Sequence, residues 1–183
     1  MNNHAPGATI RRLSAADARS VQHRLAAILQ DAVHSGASVG YLAPLAEEET
    51  LAYWSSVIAA LDGPHRILLV AEVASEIAGT VQLVLEPRPN STHRAEVSKL
   101  LVHSIYQRRG IGAMLMRRVE DEARAADRLL LVLDTQTGEP AERLYRMLGY
   151  VRTGVVPNYA RFPDGRLGAT SFMYKWLDAG SSQ

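Results

Sequence analysis

Gln107, Arg108, Arg109, Gly110 and Gly112 crowd into six positions of the chain, in the stretch "YQRRGIGAML". They stand where an apolar, strand-like run ends at Val102 and a helix-like run begins near Ile111. Glycines at such a junction let backbone N–H groups approach a ligand. The first turn of a helix adds unpaired N–H donors and a partial positive charge. The two arginines add charge-assisted donors. Together these features make an anion site suited to phosphate, and the junction reads as a pyrophosphate cradle.

Two common phosphate loops do not fit it. A P-loop requires G-x-x-x-x-G-K-[ST], and no Lys follows these glycines, which disfavours ATP or GTP. A dinucleotide fingerprint requires G-x-G-x-x-G, and "GIGAML" has Leu115 where the third Gly or Ala belongs.

The elements that must hold the junction follow from periodicity and punctuation. "TIRRL" is a short strand, and Ser14 with Asp17 forms an N-cap pair. The helix it opens carries Val21, Leu25, Ile28, Leu29 and Val33 at helical spacing and ends in "HSGASVG". A second helix is predicted from Ala46 to Leu61. "RILLVAEV" and "IAGTVQLVLE" are strands joined at "ASE", and Pro87, Pro89 and Asn90 mark a loop. "RAEVSKLLV" is the strand before the junction; alternation puts Glu96, Ser98, Leu100 and Val102 on one face. A helix follows to about Ala126. "LLLVLD" is short and wholly apolar until Asp134, as expected where both sheet faces are covered. "EPAERLYRML" is a helix stopped by Gly149. "YVRTGVV" and "TSFMYKWL" are strands around the turn "FPDGRL". The order βααβββαβαββ implies one mixed α/β domain over residues 1–183, with residues 1–8 and 178–183 as loose tails.

A third phosphate loop, Q/R-x-x-G-x-G/A after a strand, is matched by Gln107, Gly110 and Gly112. Here the chain resembles the GNAT superfamily of N-acetyltransferases. "AERLYRMLGY" is similar to the late helix of that superfamily, through Ala141, Leu144, Tyr145, Gly149 and Tyr150. Many members carry an Asn seven residues before the Tyr, to hold the pantetheine arm; this chain has Gly138. A closer resemblance, over about residues 9–176, is to the tabtoxin resistance protein group, through "VHSGASVGYL", "NSTHRAEVSKL", "LDTQTGEPAERLY" and "PNYARFPDGRL". The resemblance implies an α/β (α+β) GNAT fold: a mixed, mostly antiparallel twisted sheet of about seven strands flanked by about four helices. It implies acetyl-CoA as cosubstrate. The cofactor site would comprise Leu100, Leu101, Val102, Gln107, Arg108, Arg109, Gly110, Ile111, Gly112, Ala113, Ala141 and Tyr145.

Acyl transfer from a thioester needs a base for the amine, a donor for the oxyanion and a proton for the leaving thiolate. The chain has no cysteine, so a cysteine acyl-enzyme is excluded and direct transfer is expected. Glu96 and Asp134 are strand carboxylates close enough to the junction to serve as base, directly or through water. The resemblance implies the same two residues as base candidates and Tyr145 as proton donor; the choice between Glu96 and Asp134 stays open. The oxyanion donor is expected to be a backbone N–H near Leu101 or Val102. On the acceptor side, "HSGASVG" offers His34, Ser35 and Ser38, and Tyr159 and Arg161 precede the late turn. A polar Gly/Ser loop suits a small zwitterion better than an apolar peptide.

Composition narrows the partners. The chain has 20 basic and 19 acidic residues, a net charge of +1, which disfavours nucleic acid. It has no apolar run of a length that would span a membrane, and "MNNHAPGATIRR" has no apolar signal core. A cytoplasmic protein is expected. The histidines lack metal-type spacing, so no metal is expected. The reading is acetyl transfer to a small-molecule amine, an amino-acid-like toxin such as tabtoxinine-β-lactam being one candidate the resemblance raises. Small domains of this type often pair, so a homodimer is compatible with it. The alternatives are a protein N-terminal acetyltransferase and a non-catalytic acyl-CoA-binding sensor.

Overall fold

The computed structural model describes residues 7–177. Seven strands form one sheet: β1 (Ala8–Arg12), β2 (Arg66–Val73), β3 (Glu76–Leu85), β4 (Arg94–Val102), β5 (Leu130–Gln136), β6 (Val151–Arg161) and β7 (Leu167–Trp176). Their order is β1-β2-β3-β4-β5-β7-β6. Every pair is antiparallel except β4 with β5. Helices α1 (Ala15–Ser20), α2 (Gln22–His34) and α3 (Glu47–Ala60) cover one face. Helices α4 (Ile111–Ala125) and α5 (Pro140–Met147) cover the other. This is the predicted mixed α/β fold.

Two apolar clusters hold the layers together. On the α4–α5 face, Ile111, Leu115, Met116 and Val119 pack on Leu69, Val81, Val97, Leu131 and Leu133. On the other face, Leu25, Ile28, Leu29, Trp54 and Val57 pack on Leu68, Val70 and Leu101. Burial of each such large side chain stabilises the fold by roughly 1.5–3 kcal/mol.

Several boundaries differ from the sequence reading. Ala8 begins β1 rather than closing a tail; the expected tail at residues 178–183 lies outside the described residues. Ser14 caps its helix in a reciprocal box with Asp17, but the helix breaks at Val21, which makes five α-helices among the described residues rather than about four. Nothing in the residue types marks that break. β6 and β7 are longer than expected, because bulges at Arg152–Gly154 and Val156–Ala160 absorb Pro157 and the left-handed Asn158 (φ +54°) on an edge strand.

The alternation read for β4 is corrected by another bulge. Thr80 pairs with Leu101 and Gln82 with Ser98, so Lys99 and Leu100 together oppose Val81. Lys99 has φ +51°. The extra residue reverses the phase of the strand. Ala95 and Val97 face α4, as do Leu100 and Val102 beyond the bulge, whereas Leu101 joins the α2–α3 cluster. Glu96 and Ser98 therefore share their face with Leu101, not with Leu100 and Val102.

Gly79 sits beside this bulge, paired with Val102. A Cβ there would lie 2.7 Å from the Leu101 carbonyl oxygen and 3.2 Å from Val102 Cγ2. Gly79→Ala is expected to lower stability by about 1–3 kcal/mol. Thermal unfolding of the two proteins checks this; equal melting temperatures would refute the close approach.

Candidate active site

The junction after β4 is built from backbone. A single 3₁₀ turn (Ser104–Tyr106) leads from the strand, and its first residue is tied to α2: Ser104 N and Oγ both donate to the Asp31 carboxylate at 2.7 Å. Gln107 Nε2 donates to the Val102 carbonyl at 3.1 Å. Arg108 (φ +60°) and Gly110 (φ +79°) both take left-handed conformations, which turn the chain sharply into α4. No side chain caps α4. Its first-turn N–H groups therefore point outward beside Arg108 and Arg109, which are exposed. The Arg109 guanidinium lies 5.6 Å from the Tyr106 ring and donates to the Ile105 carbonyl at 3.0 Å. An uncapped helix N-terminus with two cations that no carboxylate pairs among the described residues suits a pyrophosphate. Ile111 is buried in the core, so its N–H alone is open to a ligand. Gly112 has a packing role: a Cβ there would stand 3.2 Å from Leu144 Cδ2, so the glycine lets α4 approach α5. Ala113 is partly exposed in the same turn.

Next to the junction the sheet opens. β4 and β5 pair only through Arg94–Leu130, Ala95–Leu131 and Glu96–Val132. Beyond Glu96 the β5-facing edge of β4, from Val97 to Val102, has no ladder partner. A thioester carbonyl in this gap would meet unpaired strand N–H groups. The Leu101 side chain is buried on the far face, so it offers backbone only, whereas Leu100 and Val102 are partly exposed.

The gap divides the candidate catalytic groups. Glu96 is level with Val132, and Asp134 is two residues further along β5, so both carboxylates share the α2–α3 face. Both are exposed. Glu96 makes no ion pair with Arg94, which binds Glu86 at 2.8 Å instead. Tyr145 lies on the opposite face, in α5, 6 % exposed and 5.8 Å from the Tyr150 ring. Burial, and then the negative charge of Asp134, push the Tyr145 phenol well above its usual range. It stays protonated at neutral pH, as a proton donor must. Ala141 packs one turn before it.

On the carboxylate face lies a polar group that the sequence reading missed. Buried Gln82 accepts from Arg66 Nη1 and donates to the Tyr53 hydroxyl at 2.8 Å. Lys99 Nζ stands 5.6 Å from the Tyr53 ring centre, and Tyr41 meets Tyr53 edge-on at 6.0 Å. The visible signal was a Gln and a Lys inside otherwise apolar strand runs.

The segment between α2 and α3 closes over this face. Ala43 N donates to the Pro163 carbonyl at 3.1 Å, joining it to the β6–β7 turn. His34 is a clip in this segment, its Nε2 accepting from Leu45 N at 3.3 Å. Ser35, Gly36, Gln136, Glu139, Phe162 and Arg166 line a groove of about 290 Å³ there. Ser38 is partly buried nearby in sequence but does not line the groove. Tyr159 packs edge-on against Phe172, the β7 partner of Asp134. Arg161 donates to the Gly165 carbonyl and holds its own turn. A larger groove, about 550 Å³ around Arg12, Asp17 and Asp62, contains none of the expected site residues.

The sequence model of the Acetyltransferase (GNAT) family matches residues 26–150. The chain belongs to the GNAT acetyltransferase family. It is an N-acetyltransferase. An uncharacterized N-acetyltransferase from the hisH-hisA intergenic region of Azospirillum brasilense is 36 % identical over 124 residues, covering 65 % of this chain and 72 % of that protein. Among solved structures, a GNAT phosphinothricin acetyltransferase from Sinorhizobium meliloti, in complex with acetyl-CoA, has a TM-score of 0.73 and 21 % identity, covering 96 % of this chain and 91 % of that one. A ribosomal-protein-alanine N-acetyltransferase from Brucella melitensis also has a TM-score of 0.73, with 26 % identity, covering 92 % and 99 %. Both share the fold.

The GNAT chain keeps its acidic clamp at the start of α5. Gly138 is left-handed (φ +86°), and its N–H donates to Glu142 at 2.7 Å. Glu142 also accepts from Arg146 at 2.7 Å and Arg152 at 3.2 Å. The Gly138 N–H first, then Arg146 and Arg152, hold the Glu142 carboxyl below its usual range against the opposing effect of burial. A lowered folded-state pKa stabilises the fold above the unfolded value, near 4.3, and the effect is lost as pH falls through the folded value. Glu142→Gln is expected to cost about 2 kcal/mol at pH 7, or roughly 4–8 °C in melting temperature. The gap should narrow in melts taken progressively below pH 4; a constant gap would refute the charged clamp.

Proposed function

We propose that this acetyltransferase moves the acetyl group directly from acetyl-CoA to the primary amine of a small molecule, and that the acceptor is amino-acid-like. The toxin tabtoxinine-β-lactam, raised by the resemblance to the tabtoxin resistance group, is the first specific candidate. The observation that carries this reading is the separation of groups across the β4–β5 gap. Two carboxylates stand on the α2–α3 face and a neutral phenol on the α5 face.

Glu96 or Asp134 takes a proton from the acceptor ammonium. The freed amine attacks the thioester carbon, and N–H groups of the unpaired β4 edge near Leu101 and Val102 receive the developing oxyanion. One such donor lowers a barrier of this kind by about 3 kcal/mol. The nitrogen of the tetrahedral centre gives up its second proton through water as the centre collapses with loss of the CoA thiolate; the thiolate takes the Tyr145 hydroxyl proton, and the phenolate regains a proton before the next turnover. Arg108, Arg109 and the first turn of α4 hold the pyrophosphate, with Gln107 and Gly110 shaping the loop. Gly112 and Ala113 supply N–H groups, and Leu100, Val102 and Ala141 wall the pantetheine arm. Ser35 and Tyr159 border the acceptor.

The loop pinned by Ala43 and Pro163 supports a small acceptor over a peptide chain. β6 supports pairing with a second copy: it is an 11-residue edge strand, exposed along both faces, with Val155, Val156 and Tyr159 outward. We place the enzyme in the cytoplasm on the same reading.

Release of free CoA, followed with a thiol reagent, tests the reaction, and the cysteine-free chain adds no background. Free amino acids, tabtoxinine-β-lactam, polyamines and short peptides form the panel. Turnover confined to peptides would favour N-terminal acetylation, and cofactor binding without any turnover would favour a sensor. Arg108→Ala with Arg109→Ala is expected to weaken acetyl-CoA binding by about tenfold or more, since two charge-assisted contacts go. Calorimetric titration measures it, and unchanged affinity would refute the cradle. Tyr145→Phe is expected to lower kcat by about 10²-fold with little change in acetyl-CoA affinity. An unchanged kcat would leave Tyr145 a core residue only.

A further inference from the structure

We propose that Lys99 recognises the acceptor's carboxylate, and so selects free amino acids from among small amines. This rests on the small-amine reading above and goes beyond it by assigning the selecting residue.

Placement comes first. The bulge puts Lys99 in a backbone conformation that L-residues rarely adopt (φ +51°), between Glu96 and the unpaired end of β4. Its side chain runs over the carboxylate face. Nζ lies 5.6 Å from the Tyr53 ring centre and within 3.9 Å of where a Gly40 side chain would begin. The ammonium thus stands under the α2–α3 segment, on the side of the sheet where the acceptor must enter.

Its pairing is incomplete. Lys175, with a side chain 21 % exposed, is matched by Glu120 at 2.7 Å. No carboxylate among the described residues reaches Lys99 within salt-bridge distance. Burial, above all, lowers the Lys99 pKa; Asp134 and then Glu96, both beyond salt-bridge distance, oppose that lowering, and Arg66 adds to it. A half-buried ammonium with three donors and one aromatic face lacks an anion.

The chemistry of the face then specifies the ligand. Glu96 and Asp134 suit an ammonium, and Lys99 suits an anion close to it. An α-amino acid carries both charges at that spacing. A polyamine would bring a second cation against Lys99, and an internal peptide segment lacks the carboxylate.

The test is steady-state acetylation of the free L-amino acids, each beside its C-terminal amide, by the wild-type protein, Lys99→Gln and Lys99→Arg. For the best acceptor, the wild type is expected to favour acid over amide by about tenfold or more in kcat/KM. Lys99→Gln should bring that ratio near one by raising the KM for the acid, with the KM for acetyl-CoA unchanged. Lys99→Arg should restore part of the preference. A merely structural lysine would slow acid and amide alike. Equal use of acid and amide by the wild type, or a preference retained in Lys99→Gln, would overturn the proposal. The wild-type comparison decides this even where a variant fails to fold. Turnover of other small amines alone would overturn the Lys99 assignment and leave small-amine acetylation standing. Acetylation of peptides alone, or of nothing in the panel, would overturn both.

Discussion

Three residue pairs join β4 to β5, and then the strands part. Everything proposed for the site depends on that early separation. A continued parallel ladder would occupy the β4 edge with hydrogen bonds and leave no room for a thioester between the strands. The gap stays open because each strand is secured elsewhere. β5 pairs along its whole length with β7, and β4 is held by β3 through and beyond the bulge. Unpaired backbone in the gap is then available to a ligand, where in a closed sheet it would be a liability.

The bulge at Lys99 adds a second consequence. It turns the last residues of β4 over, so that Leu100 and Val102 line the α4 side while Leu101 anchors the α2–α3 core. The cofactor side thus receives two apolar walls and an uncapped helix N-terminus. The acceptor side receives Glu96, Ser98 and Lys99. One inserted residue separates the groups proposed to bind a thioester arm from those proposed to bind an amine. Gly79 makes the geometry possible, since the Leu101 carbonyl occupies the space a side chain would need.

Charge is arranged to match. Positive groups gather at the pyrophosphate end, in Arg108, Arg109 and the α4 N-terminus. Negative groups gather where an ammonium must lose its proton. Tyr145 lies behind both, kept neutral mainly by burial. An ionised phenol could not supply the thiolate with a proton. The same apolar packing that makes Tyr145 resemble an ordinary core residue keeps it protonated, as the acid role proposed for it requires.

Much of this was legible in the residues. Strand and helix order followed from periodicity, because apolar spacing is local and both faces of this sheet are covered. The proposed phosphate junction was read from glycine, arginine and their place between a strand and a helix, a motif contained in a few consecutive positions. The carboxylates could be named, because they end or interrupt apolar runs. The faces could not. A bulge is invisible to alternation, so Glu96 was grouped with Leu100 and Val102. Gly112 was read for the ligand alone, and its close approach to Leu144, distant in sequence, was not visible. The sequence by itself determined the elements, the anion junction and the residue types fit for acyl transfer, since each rests on short-range spacing. Only the tertiary structure decided where β4 and β5 part, which face each group occupies and that no carboxylate among the described residues reaches Lys99, because those depend on strand register and on contacts between residues far apart in the chain.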